Sequence, residues 1–258
     1  MWELYDDLIA EIPSHIKVKD VRTTTDWGFV STEDSCAIGV AYSKRSVTTM
    51  FSKDWRGAPL KDLAACIKSW HLLEASLGAA AINCYYNSEE MCAKNGIQLG
   101  QTNYSEDRMN DPFIAYQRNI QNKKVAVIGH FPYLENLFEP YCDLFILDDD
   151  GLKGDYPLIA AEYIIPECDF VVITCGSLVL KTLPRYLELA KDAYTVIVGP
   201  ATPLSPVLFN YGVQDMSGFV IKDHEMAERI ITGGLFSSIY ASGNKVHLLD
   251  SDWKKLAK

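Results

Sequence analysis

Residues 123–133 (KKVAVIGHFPY) narrow the folds open to this chain more than any other stretch. They read as a short buried strand over 125–128, a turn at Gly129 and a helix-compatible segment. Three more apolar runs follow, at 144–147, 170–174 and 195–198, and each stops at small or polar residues. Apolar strands separated by helical segments predict a parallel sheet covered on both faces. Sheets of that kind bind ligands just beyond the carboxyl ends of their strands. The loops at those ends are therefore where a site is expected.

The first hundred residues have a different texture. Residues 1–12 place Leu4, Tyr5, Leu8, Ile9 and Ile12 on one helical stripe, which Pro13 ends. Residues 16–51 are rich in Val, Thr, Ile and aromatic residues, broken by Gly28, Gly39 and Ser-rich turns. Residues 17–23 alternate with period two, and 36–42 and 47–51 are further strand candidates. Helical spacing follows over 60–70, opened by Pro59, and over 72–86, which is long and Ala-rich. A strand meander followed by helices predicts a small α+β unit. The polar, turn-rich stretch 94–111 reads as the passage to a second unit, giving domains over 1–105 and 106–258. In the second unit the spacing predicts helices over 112–119, 133–138, 157–165, 177–190, 203–211 and 225–231, and a last strand including 218–221. Ser177 and Thr202 are read as hydroxyl caps of the helices that follow them.

Composition removes several classes of function. The chain has 258 residues, and its net charge of -10 makes a nucleic-acid backbone an unsuited partner. No apolar stretch approaches the ~20 residues that span a bilayer. The start of the chain lacks the basic residues of a secretory signal, so a cytoplasmic location is expected. The cysteine count is seven, an odd number, with no C-x-x-C pair, so neither a disulfide framework nor a zinc ribbon is expected.

Four loops carry the candidate chemistry. Gly129-His130 has one glycine where a dinucleotide fingerprint needs three, but His130 suits a metal ligand or proton carrier. The alternative is a histidine that packs on a neighbouring loop. Asp148 follows Gly129 by about 20 residues, the spacing at which an acid meets a ribose hydroxyl. With Asp149 and Asp150 it forms an acidic run that could also meet a hard or borderline cation, or simply make a turn at Gly151. Gly176 and Ser177 open a helix whose start suits an anion or a binding hydroxyl, while Cys175 reads as a small packing residue. The Pro-rich loop 199–206 around Thr202 is rigid, which suits either a preshaped pocket or a structural crossover. No P-loop and no nucleophile elbow occurs.

Three strings, VIGHFP at 127–132, CGSLVLKTL at 175–183 and VGPATPLSPVLFNYG at 198–212, together resemble the "putative heavy-metal chelation" family. The resemblance covers nearly all of the second half. The first half, with GAAAIN at 78–83, is similar to the companion domain that usually precedes it. The resemblance implies an enolase amino-terminal-like α+β domain followed by a Rossmann-like one. It also implies a link to metal or corrinoid metabolism. The family pattern often has a polar Asn where Leu180 stands and a small residue where Cys175 stands, so this chain departs from it there.

Three readings result. The first is a protein that binds a divalent heavy metal or a metallo-cofactor in the cleft between the domains. His130 and Asp148 are its ligands or proton carriers, Gly129, Gly176, Ser177 and Thr202 shape the pocket, and Asn83 closes it from the first domain. The second is an enzyme with a nucleotide-type cofactor, a dehydrogenase or methyltransferase. The third is a non-catalytic sensor or carrier of a small molecule.

Overall fold

The computed structural model describes residues 2–42, 53–100, 111–235 and 237–256. The strand candidate over 47–51 lies outside these, as does most of the 94–111 passage. After helix α1 (Glu3–Ala10), strands β1 (Asp20–Thr23), β2 (Trp27–Ser31) and β3 (Cys36–Val40) form an antiparallel sheet in that order. Helix α2 (Leu60–Ala64) runs into a 3-10 turn, and α3 (Leu72–Tyr86) and α4 (Glu89–Lys94) follow. The α3 helix is buried nearly all round, including Ala79, Ala80, Ala81 and Ile82. That explains why its sequence lacks a polar stripe.

β2 is absent from the sequence reading because Gly28 looks like a break. Its real role is contact. A side chain there would collide with Ser76 of α3, so glycine lets the helix lie directly on the sheet.

The second sheet contains β4 (Lys124–Ile128), β5 (Asp143–Leu147), β6 (Phe170–Thr174), β7 (Tyr194–Val198), β8 (Asp215–Ile221) and β9 (Gly243–Leu249). Their order is β5-β4-β6-β7-β8-β9, parallel except for β9, which pairs antiparallel with β8. Successive residues of the parallel strands enter two cores. Ala126, Ile128, Val171, Ile173 and Ile197 join a cluster that continues into the first sheet and α3. Val125, Val127, Phe170, Val172 and Val196 join a smaller cluster with Phe113, Tyr116 and Phe138 on the other face. Burial on both faces is the physical cause of the unbroken apolar runs. The fold is thus mixed α/β: a small unit with an antiparallel sheet, then a parallel-dominated sheet flanked by helices.

Several helices differ from their expected form. Residues 177–190 split into α8 (Gly176–Leu180) and α9 (Leu183–Leu189), because Lys181 adopts φ 64° and ends the first segment. The 3-10 turn Pro206–Tyr211 replaces the expected helix over 203–211. Its cap is Ser205, which accepts from Val207 N, and not Thr202, whose Oγ1 is buried without a partner. Over 157–165 only Ala161–Ile164 is α-helical, between two 3-10 turns. Ser177 does not cap either: its Oγ donates to Thr174 O at 2.7 Å. α5 (Pro112–Ala115), α6 (Leu134–Phe138) and α10 (His224–Ile231) fall where helices are expected. α4, β9 and the final helix α11 (Asp250–Leu256) are additions to the expected elements.

Candidate functional site at the switch point of the parallel sheet

β4 is the first strand of its sheet and lies between β5 and β6. The chain leaves it toward one edge and later returns to its other side, which opens a crevice at the strand carboxyl ends. A hollow of about 160 Å³ occupies that crevice. Ile128 and Gly129 border it from β4, Thr174 from β6, and Asp148 and Asp150 from the loop after β5. Ser177, Leu180, Thr182 and Tyr186 contribute from α8, α9 and the link between them. Tyr42, just beyond β3, reaches the hollow from the first unit.

Local chemistry explains how these groups arrive. Gly129 has φ 98°, a conformation that side-chain-bearing residues avoid, and it turns the chain sharply out of β4. Gly176 lacks the side chain that would collide with the Tyr42 hydroxyl, so the first unit can reach the loop after β6. Burial raises the Tyr186 phenol above its ordinary range, so it keeps its proton and serves as a neutral donor and acceptor.

Asp148 ties two loops together. Its Oδ2 accepts from His130 N at 2.9 Å and its Oδ1 from Asp150 N at 2.8 Å. A carboxylate engaged twice by backbone N–H groups is held firmly and has fewer lone pairs left for a ribose. Asp149 Oδ1 accepts from Leu158 N at 2.8 Å, so it too staples the loop.

The ring of His130 is engaged by two other carboxylates. Its Nδ1 lies 2.8 Å from Asp155 Oδ2 and its Nε2 3.3 Å from Glu135 Oε1. Asp155 Oδ2 also accepts from Leu152 N at 2.8 Å. With a carboxylate at each ring nitrogen, a metal can reach the imidazole only by displacing one of them; Glu135 is the more exposed. The two carboxylates approach opposite ring nitrogens, so they cannot share one ion with the ring.

The seven expected site residues therefore divide. Gly129, Asp148 and Ser177 border the hollow, and Gly176 sits against Tyr42 at its wall. His130 lies on the adjoining loop, with its ring turned into the Asp155–Glu135 bracket. Asn83 and Thr202 lie elsewhere. Asn83 Nδ2 donates to Ile38 O at 2.8 Å and Ala201 O at 2.9 Å, joining the two units through the core. Thr202 is fully buried in the loop that Asn83 and Asn87 hold. Cys175 is buried as well, and burial pushes its thiol up to about 11, which suits a packing residue and not a reactive one. All seven cysteines are free thiols.

Sequence reasoning missed Tyr42, Thr174, Thr182 and Tyr186 as lining groups. Tyr42 is the last residue of a strand candidate, a local signal available in the sequence. Thr174 likewise ends the apolar run 170–174. Thr182 and Tyr186 carry no such signal, because the break at Lys181 that precedes them is not visible locally.

Among the described residues, no group of three or more His, Cys, Asp or Glu side chains is placed to hold a metal ion. Nor is any described helix long and apolar enough to cross a membrane.

This architecture defines a class: an open α/β sheet whose switch-point hollow is completed by a tyrosine from a preceding α+β unit. Residues 111–249 match the DUF364 family, described as "Putative heavy-metal chelation", and residues 5–86 match DUF4213, which carries the same description. The chain belongs to the DUF364 family. It is similar to a DUF364-family protein of unknown function from Desulfitobacterium hafniense, whose crystal structure superposes with a TM-score of 0.90. Identity there is 43%, over 97% of this chain and 99% of that one. A second DUF364-family structure, from Pyrococcus horikoshii, has 20% identity and a TM-score of 0.74 over 95% of this chain and 98% of that one, a likeness in fold alone. No curated protein matches the chain.

Proposed function

We propose that the protein binds a metal as a small complex, or as a hydrated ion, in the switch-point hollow. Recognition acts through the metal's own ligands. The observation that carries this reading is the lining itself. Five hydroxyl-bearing side chains, Tyr42, Thr174, Ser177, Thr182 and Tyr186, surround two carboxylates, Asp148 and Asp150. Neutral hydroxyls are weak direct ligands for heavy metals, which prefer thiolate and imidazole. They are good hydrogen-bond partners for coordinated water, amine or carboxylate. The donor set thus fails the test for a bare ion held by three or four protein ligands. It fits a cationic or neutral complex whose ligands supply the inner sphere.

Size points the same way. A hollow of about 160 Å³ suits a compact complex and is far too small to enclose a corrinoid ring. The family description supports the metal, and the acidic lining supports its positive charge. His130 and its carboxylate bracket form a proton-carrying site on the adjoining loop. In this reading the boundary between the units falls near 105, and the first unit, of the enolase amino-terminal kind, contributes Tyr42. The protein acts in the cytoplasm as a carrier or sensor of the complex.

Thermal denaturation with two kinds of ligand tests the reading. One is a set of exchange-labile divalent ions: nickel, cobalt, zinc and cadmium. The other is an exchange-inert cobalt(III) ammine, which can bind only through its outer surface. The ammine is expected to stabilise the fold by roughly 2.7 kcal/mol at a hundredfold excess over its Kd. Thr182→Val and Asp150→Asn are expected to weaken that effect. Stabilisation by the labile ions alone would contradict outer-surface recognition, and silence from both sets would contradict metal binding.

A further inference from the structure

A larger cavity, of about 290 Å³, shares no lining residue with the switch-point hollow. It lies where the ends of α1, α3, α4 and α11 meet the 3-10 turn Pro206–Tyr211. Tyr86 and Met91 are buried in its wall, and Tyr85 and Trp253 are half-buried beside them. Glu11, Lys94 and Asn210 stand exposed at the rim, with the buried amide of Asn95 nearby. The volume is close to the lower end of the range for small-molecule sites, roughly 300 Å³.

We infer that this cavity is a second binding site, for a small aromatic zwitterion such as an aromatic amino acid. The walls select the ring. Tyr85, Trp253 and Met91 line the cavity with two aromatic rings and a polarisable thioether, groups against which an aromatic ligand packs well. The rim selects the charges. Neither Glu11 nor Lys94 has a salt-bridge partner among the described residues, so one carboxylate and one ammonium border the same opening. An amino acid pairs its ammonium with Glu11 and its carboxylate with Lys94.

Other ligand classes fit less well. A hydrocarbon would cover the rim charges and give them nothing in return. A phosphate would meet one lysine within a field set by Glu11, Glu90 and Asp7. That field acts on the tyrosines: burial, then Glu11 and Glu90, raise the Tyr85 phenol, and Tyr86 is raised mainly by burial. Both phenols therefore stay protonated. The Tyr86 hydroxyl is committed to Leu8 O at 3.0 Å, so its ring is fixed in place before any ligand arrives.

Calorimetric titration of the intact, metal-free protein tests the inference with three probes: L-phenylalanine, N-acetyl-L-phenylalanine and L-phenylalaninamide. L-Phenylalanine is expected to bind one to one. Each analogue lacks one charge and is expected to bind roughly threefold to tenfold more weakly. Glu11→Gln should weaken L-phenylalanine and the amide and spare the N-acetyl compound. Lys94→Gln should weaken L-phenylalanine and the N-acetyl compound and spare the amide. Trp253→Ala should abolish binding of all three. Absence of saturation at millimolar L-phenylalanine would overturn the inference, as would Glu11→Gln and Lys94→Gln variants that bind every probe like the parent. Both are rim substitutions on exposed side chains, so the test stands even if Trp253→Ala fails to fold.

Discussion

Lys181 holds a conformation that costs energy. Its φ of 64° is left-handed, and a non-glycine residue pays on the order of 1 kcal/mol for it. Its ammonium reaches from the end of α8 to Ser69 O at 2.5 Å, across to the first unit. Burial pulls its pKa down from 10.5 to about 8. The pH dependence follows directly. Below pH 8 the amine is charged in both states, and the folded protein bears the cost of burying that charge. Between about 8 and 10.5 the folded state loses its proton first, so stability rises, and above 10.5 the gain is complete. Discounted for the group's partial exposure, the gain is about 1–2 kcal/mol. Urea titrations at pH 7.5 and 10.5 should show that gain in the parent relative to Lys181→Met. Parallel changes in the two proteins would contradict it.

At the scale of elements, the asparagines of α3 and its following turn join the two sheets. Asn87 Nδ2 donates to Thr202 O at 2.9 Å and Phe219 O at 3.2 Å, and its Oδ1 accepts from Leu204 N at 2.9 Å. Asn95 Nδ2 donates to Leu204 O at 3.3 Å. These amides satisfy the backbone of the Pro-rich loop 201–204, which lies buried and has no sheet partner of its own there. Asn87→Ala should destabilise the protein by about 3 kcal/mol in urea, since it strands three buried polar groups at once. A loss under about 1 kcal/mol would mean that water replaces the amide.

The loop is held from outside by these amides, a cause hidden from local sequence. Prolines at 200, 203 and 206 are visible, whereas the amides that fix them come from more than a hundred residues earlier. The parallel strands were the legible part, because burial on both faces leaves an unmistakable apolar run. The α8–α9 break was not, because nothing in the residues around Lys181 marks a turn.

For the whole molecule, the larger hydrophobic cluster runs without interruption from Leu4 and Leu8 through α3 to Ile173 and Met216. The change of texture made an antiparallel sheet followed by a parallel one legible in the sequence. The shared core that fastens them was not, since it depends on contacts distant in sequence. The same holds for the site. The switch-point rim, with Gly129, Asp148 and Ser177, follows from strand order. Tyr42 enters only because the first sheet docks beside the second. His130 was legible as a residue of the loop after β4, but its ring engages Asp155, a loop away, and does not border the hollow.

A metal held in the switch-point hollow within its own ligand shell would scatter anomalously from one place in the crystal. Anomalous scattering from a crystal of this protein grown with a cobalt(III) ammine locates the metal directly. One strong peak is expected between Asp148, Asp150, Thr174 and Ser177, with no protein atom at coordination distance. A peak bonded to the His130 ring, or metal found only outside the hollow, would contradict this placement.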